Sequence, residues 1–329
     1  MSDNLHVLIT GAAGMIGRKL TERLAREPRI GGKPIDLVTL HDIVAPPEPK
    51  KGSFKTKIRT GDLSLSGEAA AAVADKPDVI FHLAGVVSGE AETDFEKGYS
   101  VNLDGTRYLF EAIRAREFVP RVVFTSSVAV FGGPFDGPVT DDFHLTPHTS
   151  YGAAKAIGEQ LLADYSRRGF MDGVGIRLPA ITVRPGKPNK AASGFFSGII
   201  REPLAGEPAM LPVSEELLHS HASPRAAINY LLHAATLKTG ELDLRPNITM
   251  PSVACTIAEQ IEALRKVGGD KAVARIQRMR DTLVERIVAG WPHRFEARRA
   301  LDLGFVPDKD FDEIVAIHVE DELGGKVAA

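Results

Sequence analysis

The chain opens on a short apolar run, Leu5-His6-Val7-Leu8-Ile9, bounded by turn residues, which reads as a buried β-strand. Thr10-Gly11-Ala12-Ala13-Gly14-Met15-Ile16-Gly17 follows, and from there apolar positions recur at helical spacing, with Ile16, Leu20 and Leu24 on one face. The alternation continues down the first half. Residues 35–41, 57–60, 78–83 and 121–124 are strand-like, and helical periodicity runs between the last two from about Phe95 through Arg116, with Asn102 and Gly105 inside. Strands alternating with helices imply βαβ units and a parallel sheet. Residues 128–150 are rich in Gly, Pro, Asp and Thr, a loop long enough that function is expected of it. A helix is predicted from Tyr151 to about Ser166, with Thr149 or Ser150 as N-cap, and then a strand over Gly173–Leu178. Beyond it the βα regularity fades. A further helix opens at Ser223-Pro224-Arg225 and reaches about Leu237, and the region from Ala258 is amphipathic helix broken at Gly268-Gly269. The pattern divides the chain into residues 1–180 and 181–329, with part of 220–250 packing back on the first domain.

Composition removes several function classes. The chain has 329 residues, 43% of them hydrophobic and 25% charged, with a net charge of -3. There is no basic excess for nucleic acid or an anionic membrane, and no run approaches the roughly 20 apolar residues of a membrane span. The N-terminal apolar run is too short for a signal peptide, so a cytoplasmic protein is expected. The one cysteine, Cys255, makes an internal disulfide impossible and reads as a small buried hydrophobe, and Trp291 reads as core. His219 and His221 alternate on an extended segment without a convincing third ligand, so no metal is expected.

The glycine turn carries the first candidate chemistry. Gly11 can turn tightly, Gly14 leaves the backbone bare for a pyrophosphate, and Gly17 lets the helix approach the strand, with Met15 and Ile16 opening a helix whose N-terminus favours an anion. The fold class expected is accordingly α/β: a Rossmann-type doubly wound parallel sheet with a smaller mixed α/β C-terminal domain for substrate. Asp42 ends the next strand, where a carboxylate accepts hydrogen bonds from the ribose hydroxyls of NAD and repels the extra phosphate of NADP, or else caps a turn. Asp62, with Leu63, reaches an adenine edge or serves as an N-cap. Leu83-Ala84-Gly85 is a second small-residue turn at a strand end. Tyr151 and Lys155 stand one helical turn apart, so the ammonium lowers the phenol pKa from about 10 and makes Tyr151 a usable base. Ser127, at the mouth of the neighbouring strand, can orient the same substrate oxygen.

With these motifs together, the chain resembles an extended short-chain dehydrogenase/reductase of the NAD-dependent epimerase/dehydratase group over nearly its whole length. Residues 10–17 have that family's G-x-x-G-x-x-G spacing, residues 125–132 resemble its serine strand, and Tyr151-Gly152-Ala153-Ala154-Lys155 resembles its catalytic helix. The resemblance implies NAD as cofactor and Ser127, Tyr151 and Lys155 as catalytic residues. It further implies that Lys155 also holds the nicotinamide ribose, that Leu83-Ala84-Gly85 and Pro179 lie along the cofactor, and that Asn102 supports the site. A homodimer through the helices bearing Asn102 and Lys155 is implied as well. Arg184, Asn189 and Ser193 are polar donors suited to an acidic or polyhydroxy substrate, although any single cation there could be a solvated one. Arg225 falls in the first turn of its helix, an unfavourable place for a cation, which a bound carboxylate or a structural Asp or Glu would offset. These two segments resemble a branch of the family that oxidises the 2-hydroxyl of four-carbon sugar acids of the erythronate type. Three readings follow: a dehydrogenase of a small hydroxy acid, an epimerase or dehydratase of nucleotide-linked sugars, and a regulatory NAD-binding protein without catalysis.

Overall fold

A computed structural model describes residues 4–50, 52–186, 193–238, 240, 242 and 244–327. It contains two compact units, one comprising Met1–Val130, Pro147–Arg177 and Ile228–Ile248, the other Phe131–Thr146, Leu178–Ala227 and Thr249–Ala329.

The first unit is built on an eight-stranded sheet. Its order is Asn247–Thr249, Asp172–Leu178, Arg121–Ser127, Val79–His82, Leu5–Thr10, Lys33–Asp42 and Arg29–Ile30, with Lys55–Thr60 also paired to Lys33–Asp42. Leu5–Thr10 runs parallel to both its neighbours, as do the next pairs outward, and Arg29–Ile30 is antiparallel to Lys33–Asp42. Val7, Leu8 and Ile9 are fully buried, which is why this strand reads as a continuous apolar run. Register sets Thr10 beside His41 and His82, and His82 beside Phe124, so the strands end together at one edge. That edge is where an open parallel sheet presents its ligand-binding turns.

Helix Met15–Arg26 buries Gly17, Leu20, Thr21 and Leu24, and helix Gly105–Ala115 packs Leu109, Phe110 and Ile113 into a core with Leu8, Ile80, Val122 and Phe124. The single helix expected from Phe95 through Arg116 is interrupted: α-helix Phe95–Tyr99 passes through a π turn at Ser100–Asp104 before Gly105–Ala115. The wider turn accommodates one extra residue and leaves Asn102 fully buried beneath the sheet edge. Helix Ser150–Arg167 is capped by Thr149, whose hydroxyl accepts from Gly152 N at 3.0 Å. Its inner face carries a charge. Glu159, with no exposure, meets Arg177 of the last long strand in a bidentate pair, Nη2 to Oε2 at 2.7 Å and Nε to Oε1 at 2.9 Å, and also accepts from the Ser126 hydroxyl.

In the second unit a three-stranded sheet sets Leu218–Ala222 between Val253–Thr256 and Ala180–Ile181, and helices Gly194–Leu204, Ile257–Val273 and Phe311–Leu323 pack a core around Phe196, Ile199, Leu264 and Ile314. The grouping departs from the expected boundary at residue 180 in one stretch. Residues 131–146 group with the second unit, because Val139–Thr140 pairs with Phe295–Glu296 and the Phe131 ring meets Phe143 and Phe295. Residues 228–248, within the 220–250 stretch expected to pack back, group with the first. The break at Gly268-Gly269 is a kink within Ile257–Val273, where Gly269 takes φ of +67°. Trp291 is half-buried against this core, and Cys255 is buried, which pushes its thiol up to about 12.

Removing one partner of the Glu159–Arg177 pair strands a buried charge. Arg177→Met is expected to lose about 3–5 kcal/mol in urea unfolding, with Glu159→Leu/Arg177→Met recovering most of it. A loss under about 1 kcal/mol for Arg177→Met would show that the carboxylate finds other stabilisation.

Candidate active site

Two turns at the sheet edge meet through backbone alone. Gly11 has φ of +72°, and a Cβ there would stand 2.7 Å from Ala84 N and 2.8 Å from Leu83 C, so only glycine permits this approach. Gly17 is as tight, since its Cβ would lie 2.3 Å from Gly11 O. Gly14, by contrast, is exposed, and it caps Met15–Arg26 without a side-chain hydrogen bond or an acid in the first turn. The helix therefore presents N–H groups without a side-chain cap and a positive dipole end beside bare backbone, the surroundings a pyrophosphate requires.

Asp42 lies against the same turn. Its Oδ2 accepts from Ala13 N at 2.9 Å and its Oδ1 from Ile43 N at 2.7 Å and, more distantly, from Val44 N at 3.5 Å, which fixes the carboxylate against the turn and leaves Oδ2 a second lone-pair direction. Asp62 caps a turn, Oδ1 accepting from Ser64 N at 2.9 Å ahead of helix Ser66–Ala72, and Leu63 is core. These residues fit a dinucleotide: Gly11 to Gly17 for its phosphates and Asp42 for a ribose.

The Lys155 side chain is 4% exposed. Its Nζ donates to Thr125 O at 2.8 Å and stands 4.9 Å from the Phe124 ring centroid and 5.8 Å from that of Tyr151. Asn102 accepts from Val86 N at 2.9 Å and donates to Val86 O at 3.2 Å, and a Cβ on Gly85 would lie 2.8 Å from Asn102 Oδ1 and 3.7 Å from Lys155 Nζ. Lys155, Asn102 and the Leu83-Ala84-Gly85 turn thus converge. Ser127 Oγ accepts from Ala129 N at 3.1 Å, and Gly152, beside Tyr151, sits so close to Ala129 that a Cβ would meet its carbonyl oxygen at 2.1 Å. The serine segment and the start of the Tyr151 helix are in backbone contact.

Pro179 is buried in the second unit, just beyond strand Asp172–Leu178. There Arg184 and Ser193 are brought together, Nη2 donating to Ser193 Oγ at 3.3 Å while Nε donates to Ile181 O at 3.0 Å. Asn189 lies outside the described residues. Arg225 is held by Glu320 at 2.9 Å and Asp321 at 2.5 Å, so structural carboxylates supply the offset that its helix position requires. The capping of that helix is itself tied down, Ser223 N and Oγ both donating to the Asp308 carboxylate at 2.6 Å.

Glu159 is a further residue of this site, and its signal in the sequence is only that it follows Lys155 by one turn on the face that Tyr151 begins. His82 is another. Among the described residues no group of three His, Cys, Asp or Glu is placed to hold a metal, and no helix is long and apolar enough to cross a membrane.

A Rossmann-type sheet whose edge carries a glycine turn, a strand-end acid and a helix bearing Tyr151 and Lys155 defines a nicotinamide-dependent oxidoreductase. The chain belongs to the NAD dependent epimerase/dehydratase family, whose sequence model matches residues 7–224. It is 47% identical to a D-erythronate dehydrogenase of Cupriavidus necator, with 96% of this chain and 98% of that protein covered. A D-erythronate dehydrogenase of Haemophilus influenzae is 37% identical, covering 97% and 100%. The crystal structure of a nucleoside-diphosphate-sugar epimerase from Agrobacterium tumefaciens superposes with a TM-score of 0.96 at 56% identity, covering 99% of this chain and 96% of that one.

Burial pushes the Lys155 ammonium down to about 8, with the Glu159 charge acting the other way. Between that value and the ordinary 10.5 the unfolded chain holds the extra proton, so this group's penalty on folding is relieved as pH rises through the window. The thermal midpoint of the wild type relative to Lys155→Met is expected to climb from pH 8 to pH 10.5. A difference that stays flat over that range would mean the ammonium is not desolvated.

Proposed function

We propose that the protein oxidises the 2-hydroxyl of a free, small sugar acid of the D-erythronate type to the 2-oxo acid, using NAD. One observation carries the chemistry: the buried Lys155 ammonium, fixed by the Thr125 carbonyl and directed at the Tyr151 ring. A cation there favours the phenolate, so Tyr151 takes the hydroxyl proton as the carbinol is oxidised, and the Ser127 hydroxyl holds the same oxygen in place. The nicotinamide, when bound, supplies the oxidising power. Lys155 has the reach to a ribose hydroxyl through its remaining donors, and Asp42 selects NAD by accepting from the other ribose. The acid class is supported by the two near-full-length relatives named D-erythronate dehydrogenase. For the carboxylate we assign Arg184, with Ser193 and Asn189 as hydroxyl partners. Arg225 is a weaker choice because its guanidinium already serves Glu320 and Asp321. The name of the Agrobacterium structure favours a second reading, interconversion of a nucleotide-linked sugar with no net consumption of NAD. A homodimer in the cytoplasm is part of the proposal, and the exposed Phe95 and Ile157, on or beside the helices it would use, support it.

Screening four- to six-carbon hydroxy acids with NAD is expected to produce reduced nicotinamide with erythronate-type acids and none with UDP- or GDP-sugars; turnover of a nucleotide sugar without reduced nicotinamide establishes the second reading. Tyr151→Phe is expected to lower kcat by roughly 10²–10⁴-fold with NAD binding retained, and near wild-type turnover would remove Tyr151 from the base role. Asp42→Ala should weaken NAD far more than NADP in binding titrations, whereas equal losses would make Asp42 only a turn former.

A further inference from the structure

Four polar residues with almost no exposure lie in line beneath the site: Thr10 at 0%, His82 at 1%, Thr106 at 1% and Asn102 at 0%. Thr10 Oγ1 is 2.8 Å from His82 Nδ1, His82 Nε2 is 3.0 Å from Thr106 Oγ1, and Thr106 Oγ1 donates to Asn102 O at 2.8 Å. A hydroxyl has one proton. Thr106 spends its proton on the Asn102 carbonyl, so toward His82 it can only accept, and Nε2 must carry the ring proton. Nδ1 is then bare and accepts from the Thr10 hydroxyl, whose oxygen takes the more distant Ala84 N–H at 3.4 Å. The result is one direction of donation throughout, from Ala84 N–H through Thr10, His82 and Thr106 to Asn102 O. A protonated ring would leave the Thr10 hydroxyl proton without an acceptor in a space closed to water, which costs free energy.

We propose that His82 is a positioning residue, held as the neutral Nε2–H tautomer, which ties the Leu83-Ala84-Gly85 turn to the π turn that carries Asn102. The tie reaches the ammonium by two routes. Asn102 Oδ1 and Lys155 Nζ both pack on Gly85, and the His82 carbonyl accepts from Thr125 Oγ1 at 2.9 Å while the Thr125 carbonyl accepts from Lys155. The His82 ring also stacks on Phe124, 5.8 Å between centroids, the same ring that Lys155 Nζ approaches. Burial and the Lys155 charge push the imidazolium down to about 3, which keeps the ring neutral wherever the enzyme works.

Only the site that His82 serves rests on the proposed function, so the first test needs no substrate. In the full-length protein labelled with ¹⁵N-histidine, the ring signal lost in His82→Gln is expected to show Nε2 protonated and Nδ1 bare, unchanged from pH 8 to pH 5. An Nδ1–H tautomer, or protonation above pH 5, would overturn the proposal whatever the substrate proves to be. The second test is rescue. His82→Gln, whose amide can still donate to Thr106, is expected to keep kcat within roughly threefold of wild type, and His82→Leu to lose roughly tenfold or more in kcat with little change in KM. Equal losses in the two variants, or an effect confined to KM, would overturn the positioning role. If the wild type itself turns over no hydroxy acid, the substrate assignment fails and the tautomer result stands unaffected.

Discussion

A positive charge taken out of water sets the terms for the first unit. The Lys155 ammonium has little exposure, and three elements are shaped by the need to keep it there. Strand Arg121–Ser127 gives up the Thr125 carbonyl to it and turns the Phe124 ring toward it, and the π turn places Asn102 beside it across Gly85. One helical turn further in, Glu159 supplies a compensating negative charge, which is itself held by Arg177 and Ser126. A lysine on this face of the helix is costly without these partners. With them the charge is held 5.8 Å from the centre of the Tyr151 ring, the geometry on which the proposed base role rests.

The parts of this arrangement legible in the sequence were those encoded over short distances. The apolar runs and the glycine spacing define the parallel strands, the first turn and its helix, because burial on both faces and a bare backbone each demand particular residue types within a few positions. Tyr151 and Lys155 were legible for the same reason, being one turn apart. Glu159 and Arg177 were not: their partnership spans a helix, a turn and a strand, and neither residue alone announces it. The π turn at Ser100–Asp104 leaves no mark on a periodicity read at 3.6 residues per turn. Arg225 shows the other side of that limit. Its first-turn position signalled a missing anion, yet Glu320 and Asp321, which supply it, are 95 and 96 residues away. Residues 131–146 looked like a loop belonging to the first domain, and their pairing with Phe295–Glu296 could not be seen before the fold brought the segments together.

The names carried by similar proteins point two ways, and the chemistry explains why. Removal of a hydroxyl proton, with transfer of two electrons to a nicotinamide, begins both a dehydrogenation and a nucleotide-sugar epimerisation; what differs is whether the reduced cofactor leaves or returns its electrons. The roles proposed for Ser127, Tyr151 and Lys155 serve either outcome, so the decision lies in the substrate. The free-acid reading takes its support from relatives aligned along their whole length.

Transfer of label from the substrate tests that central claim most directly. D-Erythronate deuterated at C2 is incubated with NAD and the protein, and the products are examined by mass spectrometry and NMR. The account predicts deuterium on the reduced nicotinamide, a 2-oxo acid without the label, and a primary isotope effect on kcat/KM. Deuterium kept at C2 of the carbon product, with reduced nicotinamide formed by oxidation elsewhere in the acid or not formed at all, would contradict it.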